Sequence, residues 1–173
     1  GGVAGEIQDE GDEQLSADNF LDKLCANCSP WEVLMHADRV PDEHNEKLYR
    51  YAGYHGCIRG LRNIGFLHFQ RNETNEARKC WLSAVNCFRT NAYFCTLDDV
   101  NDAEELEENN AEEYSLSECY LATLLINEDE YPAALVLLKR HPRCLFAWYK
   151  MGLVHEFTAD FRNACDCYAR ALD

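Results

Sequence analysis

The chain has 173 residues, 47% of them hydrophobic and 12% aromatic, which is enough apolar material for one domain folding around its own core. Its 16 Lys and Arg stand against 31 Asp and Glu, a formal net charge of -15, and a surface of that sign repels phosphate backbones and anionic lipid headgroups. Nucleic acid and membrane are thereby excluded as expected partners.

No apolar run approaches the roughly 18 residues of a spanning helix, and residues 1–15 lack the basic and hydrophobic regions of a signal peptide. A soluble, cytoplasmic chain is expected, with the nucleus as the alternative compartment. Residues 1–15 carry Glu6, Asp9, Glu10, Asp12 and Glu13 without a base, the composition of a disordered acidic tail. Residues 16–41 read as a lead-in segment. Ser16 is a suitable N-cap for a short helix through Asn19, Phe20, Leu21 and Leu24 that stops near Ser29-Pro30, and an irregular apolar stretch follows at Trp31 and Val33 to Met35.

After the cap pair Pro41-Asp42, the residues Leu48, Tyr51, Ile58, Leu61, Gly65, Leu67 and Phe69 recur at steps of three and four. The pattern predicts one long helix to about Gln70. Asn72 to Asn75 ends it, and Ala77, Trp81, Ala84, Val85 and Phe88 give the next helix one apolar face, so that residues 42–90 form a helical hairpin. Residues 96–113 hold nine acids, from Asp98 to Glu113, and no base. This acidic insertion is expected to be too polar to pack, a loop with a helical second half that serves solubility rather than a basic partner.

A second hairpin covers about 109–141. Leu116, Tyr120, Leu121, Leu124 and Leu125 lie on its first helix, Asn127 to Glu130 turns, and Tyr131 to Lys139 forms a second helix ended by His141-Pro142, since proline cannot continue it. Leu145 to Phe157 and Phe161 to Leu172, joined by Thr158-Ala159-Asp160, make a third hairpin over 144–173.

The ten cysteines (Cys25, Cys28, Cys57, Cys80, Cys87, Cys95, Cys119, Cys144, Cys165 and Cys167) fall mostly on apolar helix faces and are expected as buried free thiols. Cys25 and Cys28, joined by Cys165 and Cys167, are the nearest approach to a zinc set, but their spacing pairs poorly for four convergent ligands, and no metal or cofactor is expected. His36, His44, His55, His68, His141 and His155 are spread along the chain and read as structural. No nucleophile, base and orienter stand together and no glycine-rich phosphate loop exists, so no catalytic activity is expected.

The hairpins share a register. Gly65, Ala77, Trp81 and Ala84 have the same internal offsets as Gly152, Ala164, Tyr168 and Ala171, and the middle unit matches with Ala122, Tyr131 and Ala134. Small residues recur where two helices cross closely and large rings where one hairpin fills the next. This spacing resembles the tetratricopeptide-repeat (TPR) family, most closely in the third unit, from Ala147-Trp148-Tyr149-Lys150-Met151-Gly152 through Asp160-Phe161 to Ala164, Tyr168 and Ala171. Pro30-Trp31-Glu32, a long first helix and an insertion after the first hairpin are similar to the TPR domains of FKBP-type immunophilins and their aryl-hydrocarbon-receptor-interacting relatives. The likeness covers about residues 30–173.

The resemblance implies an all-α, right-handed superhelix of three TPR hairpins acting as a co-chaperone-like adaptor or scaffold. It also implies a basic capping helix after the third hairpin. With the sequence ending at Asp173, that hairpin is expected to expose an apolar face, and the early stop at Pro142 is expected to tilt it. Chaperone-binding members of the family clamp a carboxylate tail with, in chain order, Lys, Asn, Asn, Lys and Arg. The matching offsets here carry Arg62, Phe66, Tyr120, Phe146 and Lys150.

Three polar donors have thus become aromatic, which removes hydrogen bonds that a carboxylate needs. These five residues are the expected peptide-binding groove, an aromatic floor between two bases suited to an apolar peptide or amphipathic helix of a partner protein. One alternative keeps a heat-shock chaperone tail ending in Glu-Glu-Val-Asp, and another has the chain form a homodimer. A further reading makes the rings mere filling between hairpins, or lays the lead-in around Trp31 to Met35 in the groove.

Overall fold

The computed structural model describes residues 19–40, 42–90 and 103–172. The expectations for the acidic tail, the Ser16 cap, Pro41, Cys95 and the first part of the acidic insertion fall outside the described residues, as do those for the side chains of Trp31, Asp42 and His44.

Every regular element among the described residues is a helix: α1 (residues 19–27), α2 (Pro30–Ala37), α3 (Asp42–Tyr54), α4 (Ile58–Gln70), α5 (Thr74–Arg89), α6 (Ala103–Asn127), α7 (Tyr131–Leu138), α8 (Leu145–Phe157) and α9 (Phe161–Leu172). Among the described residues no helix is long and apolar enough to cross a membrane. Each helix from α3 to α9 packs on its predecessor. In addition α4 touches α6 and α6 touches α8, so these three form one row.

Two sequence expectations need correction at the start of the chain. The first short helix does stop just before Ser29-Pro30, α1 ending at residue 27, but the same pair also opens α2: Ser29 Oγ accepts from the Glu32 amide (3.3 Å), and the Glu32 carboxylate accepts from the Ser29 amide (2.8 Å), with Pro30 in the first turn. Ser-x-x-Glu with proline second is a complete helix-start signal. The apolar run behind it is therefore helical rather than irregular, and Val33, Leu34 and Ala37 join Leu21, Leu48, Ala52 and Ile64 in one buried cluster.

The long helix to Gln70 is in fact two. Gly56 adopts φ 84°, where a side chain would strain the backbone, and Cys57 turns extended, so that α3 and α4 fold back on each other. The Cys57 amide donates back to the Ala52 carbonyl at 3.0 Å, which closes the end of α3. Periodicity ran on across this break because both helices bury the same kind of residue.

The three later turns share one geometry at one repeat offset. Asn72, Asp129 and Ala159 take φ of 61°, 61° and 58°. The next amide in each case reaches five residues back, Glu73 to His68, Glu130 to Leu125 and Asp160 to His155, at 2.9, 2.8 and 2.8 Å. This is the left-handed helix stop that satisfies orphan carbonyls.

Helix pairing rests on missing side-chain volume. A Cβ on Gly65 would overlap the Trp81 ring and a Cβ on Gly152 the Tyr168 ring. In the middle unit the same offsets carry Ala122 and Leu138, both fully buried, so a slightly larger first residue goes with a smaller second one. Gly65→Ala and Gly152→Ala therefore separate two effects. Alanine gains about 1 kcal/mol of helix propensity, but fully buried Trp81 cannot withdraw whereas half-buried Tyr168 can swing outward. We expect Gly65→Ala to lose about 2 kcal/mol net and Gly152→Ala to be close to neutral, read from urea midpoints; equal losses would show that both rings are held alike.

Candidate functional site

The five groove candidates lie on the α4, α6 and α8 row, Arg62 and Phe66 on α4, Tyr120 on α6, and Phe146 and Lys150 on α8. Their rings make an unbroken chain. Phe66 and Tyr120 have centroids 5.9 Å apart, Tyr120 and Phe146 5.6 Å, and Phe146 and Tyr149 6.4 Å. Tyr149 extends the row beyond the repeat offsets used to find it. It sits three residues after Phe146, on the same helix face, and that spacing was the available signal.

The members differ in what they do. Tyr120 stacks on Trp81, 5.0 Å between centroids and 15° from parallel, and Trp81 is wholly buried with its Nε1 donating to the Arg62 carbonyl at 3.1 Å. Tyr120 therefore fills space between neighbouring helix pairs, as the filling reading expects. Phe66 and Tyr149, at 37% and 44% exposure, present ring surface to solvent at the two ends of the row. Lys150 lies over the row, its Nζ 5.0 Å from the Phe146 centroid and 5.7 Å from that of Tyr149. Burial pulls its pKa below the ordinary lysine value.

Arg62 does not stand free as a second base. Its guanidinium grips the Glu113 carboxylate with two nitrogens, one of them at 3.3 Å, and both side chains are mostly shielded. Burial works against the Arg62 charge, and the Glu113 carboxylate more than offsets that, raising its pKa. Glu113 belongs to the acidic run expected to stay in solvent. Its place is set because α6 begins at Ala103, so the end of the run is already helical and turns onto α4. Arg59 bridges the same Glu113 (3.9 Å) and Asp38 (2.6 Å), and Asp38 accepts from the Tyr49 hydroxyl (2.9 Å). The lead-in is thereby tied to α3 and α4; Val33 and Leu34 are buried there rather than along the ring row, and Met35 is exposed.

A concavity opens elsewhere, a cleft of about 350 Å³ between α5, α6 and α7 lined by Arg78, Arg89, Arg140, Leu82, Leu121 and Leu137 around Glu118. Glu118 is 1% exposed and holds Arg89 (2.6 Å), Arg140 (3.2 Å) and His141 Nε2 (2.7 Å). Arg78 is taken up by Glu128 at 2.5 Å. Its arginines therefore already have carboxylate partners.

Of the nine described cysteines, all free, Cys57, Cys119 and Cys167 are buried, Cys165 is exposed, and the other five are half-buried, which corrects the expectation that most are enclosed. Cys25 and Cys28 pack on the α1–α4 cluster and Cys167 lies in the α6–α9 cluster, so the four cysteines weighed as a zinc set do not converge. Among the described residues no three His, Cys, Asp or Glu side chains are grouped to hold a metal ion.

Glu118 yields a test of what joins α5, α6 and α7. Burial disfavours its ionised form, but His141, Arg140 and Arg89 outweigh that and lower its pKa from 4.5. A carboxylate whose folded pKa is depressed stabilises the fold fully above its unfolded pKa, and the contribution fades as pH falls through the folded value. Glu118→Gln should cost about 2 to 3 kcal/mol at pH 7, with the gap from the parent chain closing below about pH 4.5. A gap that stays constant from pH 7 to 3 in urea titrations would mean that the ionised carboxylate is not what holds the three helices together.

No protein-family model matches the chain, and no curated protein sequence matches it significantly.

Proposed function

We propose that this chain is a non-catalytic protein-interaction module of the tetratricopeptide-repeat type, resembling that of the immunophilin co-chaperones, and that it serves as a cytoplasmic adaptor. It holds an apolar or helical segment of a partner protein along α4, α6 and α8. One observation carries the reading: a continuous row of rings crosses the three neighbouring helices α4, α6 and α8, open to solvent at Phe66 and Tyr149 and overlaid by Lys150. Rigid aromatic edges beside a cation are the composition of binding hot spots, because they offer much contact area at little entropic cost. The shared turn geometry and the glycine-to-ring contacts of the first and third pairs support the repeat type.

The alternative occupant, a Glu-Glu-Val-Asp tail, needs free cations and amide donors. Arg62 is already neutralised by Glu113, and the remaining offsets carry rings, so only Lys150 is left to meet two carboxylates.

A helical-peptide display library selected on the parent chain tests the reading. Binders should carry apolar residues at i, i+3 or i+4, and i+7, and calorimetry should show each of Phe66→Ala and Tyr149→Ala weakening them about tenfold. A peptide ending in Glu-Glu-Val-Asp should give no heat. Micromolar binding of that peptide, abolished by Lys150→Glu, would replace this reading with the chaperone-tail one, and a dimer mass in light scattering that Tyr149→Ala abolishes would replace it with self-association.

A further inference from the structure

The cleft between α5, α6 and α7 uses a different face of α6 from the ring row. Glu118, Leu121 and Leu125 line it and share one side of the helix by their spacing, whereas Tyr120 lies roughly 200° around α6 from Glu118. On α5 the lining residues Arg78, Leu82, Val85 and Arg89 follow one another at steps of four, three and four, so they too present a single face. Leu137 of α7 closes the third side, and Arg140 stands just past the end of that helix. The floor is apolar: Val85 and Leu121 are buried in one cluster, and Leu137 packs against it. Leu82, at the rim, is 52% exposed.

The polar lining carries more positive than negative charge. Arg78, Arg89 and Arg140 stand against two carboxylates, Glu118 and Glu128. Arg89 Nη2 and Arg140 Nη1 donate to the same oxygen, Glu118 Oε1, at 2.6 and 3.2 Å, while His141 holds Oε2 at 2.7 Å. Sharing one oxygen places the two guanidiniums side by side, and since each has five N–H donors, both keep donors for a further acceptor. Their side chains are 52% and 47% exposed. Arg89 is also steadied from one side by the Tyr114 ring, 5.9 Å from its guanidinium carbon. In a chain of net charge -15, this is a local cationic rim above an apolar floor, and its complement is a carboxylate beside an apolar side chain.

We propose that this cleft is a second protein-binding site, taking a short segment of a partner in which an Asp or Glu lies within two residues of a large apolar side chain. The carboxylate bridges Arg89 and Arg140, and the apolar side chain lies on Leu82, Leu121 and Leu137. A peptide is favoured over a free small molecule by the shape. The volume of about 350 Å³ is at the low end for small-molecule pockets, which enclose most of their ligand, and the exposed Leu82 leaves this one open along its rim. The site does not rest on what the ring row binds, because the two use different faces of α6.

The test titrates the isotope-labelled 173-residue chain with the capped peptide acetyl-Gly-Asp-Leu-Phe-Gly-amide and follows it by NMR. We expect the methyl signals of Leu82, Leu121 and Leu137 and the Nε–H signals of Arg89 and Arg140 to move together and saturate, while the ring signals of Phe66 and Tyr149 stay in place. Exchanging the peptide's Asp for Asn, or its Leu-Phe for Ser-Ser, should each weaken binding about fivefold or more. Leu82→Ser should do the same; its position is exposed and leaves the Glu118 contacts intact, so the result does not hang on Arg140→Gln, which could loosen the fold. An Asn peptide that binds as well as the Asp peptide, shifts confined to Phe66 and Tyr149, or no saturation at millimolar peptide would overturn the proposal. Octanoate binding as tightly as the peptide would also overturn it, making the occupant a free amphiphilic carboxylate.

Discussion

The position of Trp81 in the space left by Gly65 is the constraint on which the candidate surface depends. Because Gly65 has no side chain, α4 and α5 approach until the indole lies against the α4 backbone, where its Nε1 finds the Arg62 carbonyl. The outer face of the ring becomes a platform for Tyr120 on the next helix pair, and Tyr120 in turn meets Phe66 on one side and Phe146 on the other. A larger residue at position 65 would lift the indole and pass the displacement to each ring that rests on it, since close-packed interiors transmit such changes rather than absorb them. Packing and recognition are therefore not separable in this row: its buried members are what hold the exposed ones in register.

Charge is organised by the same economy of space. Among the described residues of a chain with a large excess of acids, Glu118 is enclosed and Glu113 partly shielded, and each joins helices that are distant in sequence. Glu113 brings α6 onto α4 through Arg62 and Arg59. Glu118 gathers Arg89 from the end of α5 with Arg140 and His141 from the end of α7. Buried carboxylates are tolerable only when paired in this way, because desolvation without compensation costs several kcal/mol. One consequence bears on recognition: the pairing of Arg62 converts what would have been a cationic edge into a neutral one, and Lys150 is left as the positive charge beside the rings.

Helix starts and stops were legible wherever a local signal was sufficient. The limits of α8 and α9, the turn at Ala159 and the end of α7 before Pro142 follow from periodicity and breaker residues, and the structure has them at those positions. Two failures have plain causes. Gly56 was passed over because the apolar spacing continues in phase on both sides of it, so that only its left-handed backbone marks the turn. The apolar stretch after Ser29-Pro30 reads as irregular because proline so often marks a break, although proline in a first turn is as good a start. For the candidate surface, repeat offsets led to Phe66, Tyr120, Phe146 and Lys150 as neighbours but could not say that Arg62 is occupied, since its partner is 51 residues away.

Sequence alone determined the all-helical character, the shared offsets of the helix pairs and the three turns after Gln70, Asn127 and Phe157, because each depends on interactions within a few residues along the chain. Only the tertiary structure decided which charges are spent internally and which rings stay open. Arg62 lies on α4, and its partner Glu113 comes from an acidic run that looked too polar to pack. Their contacts depend on how far neighbouring helices approach, a distance set by the volumes of residues such as Gly65, Ala122 and Gly152 acting together.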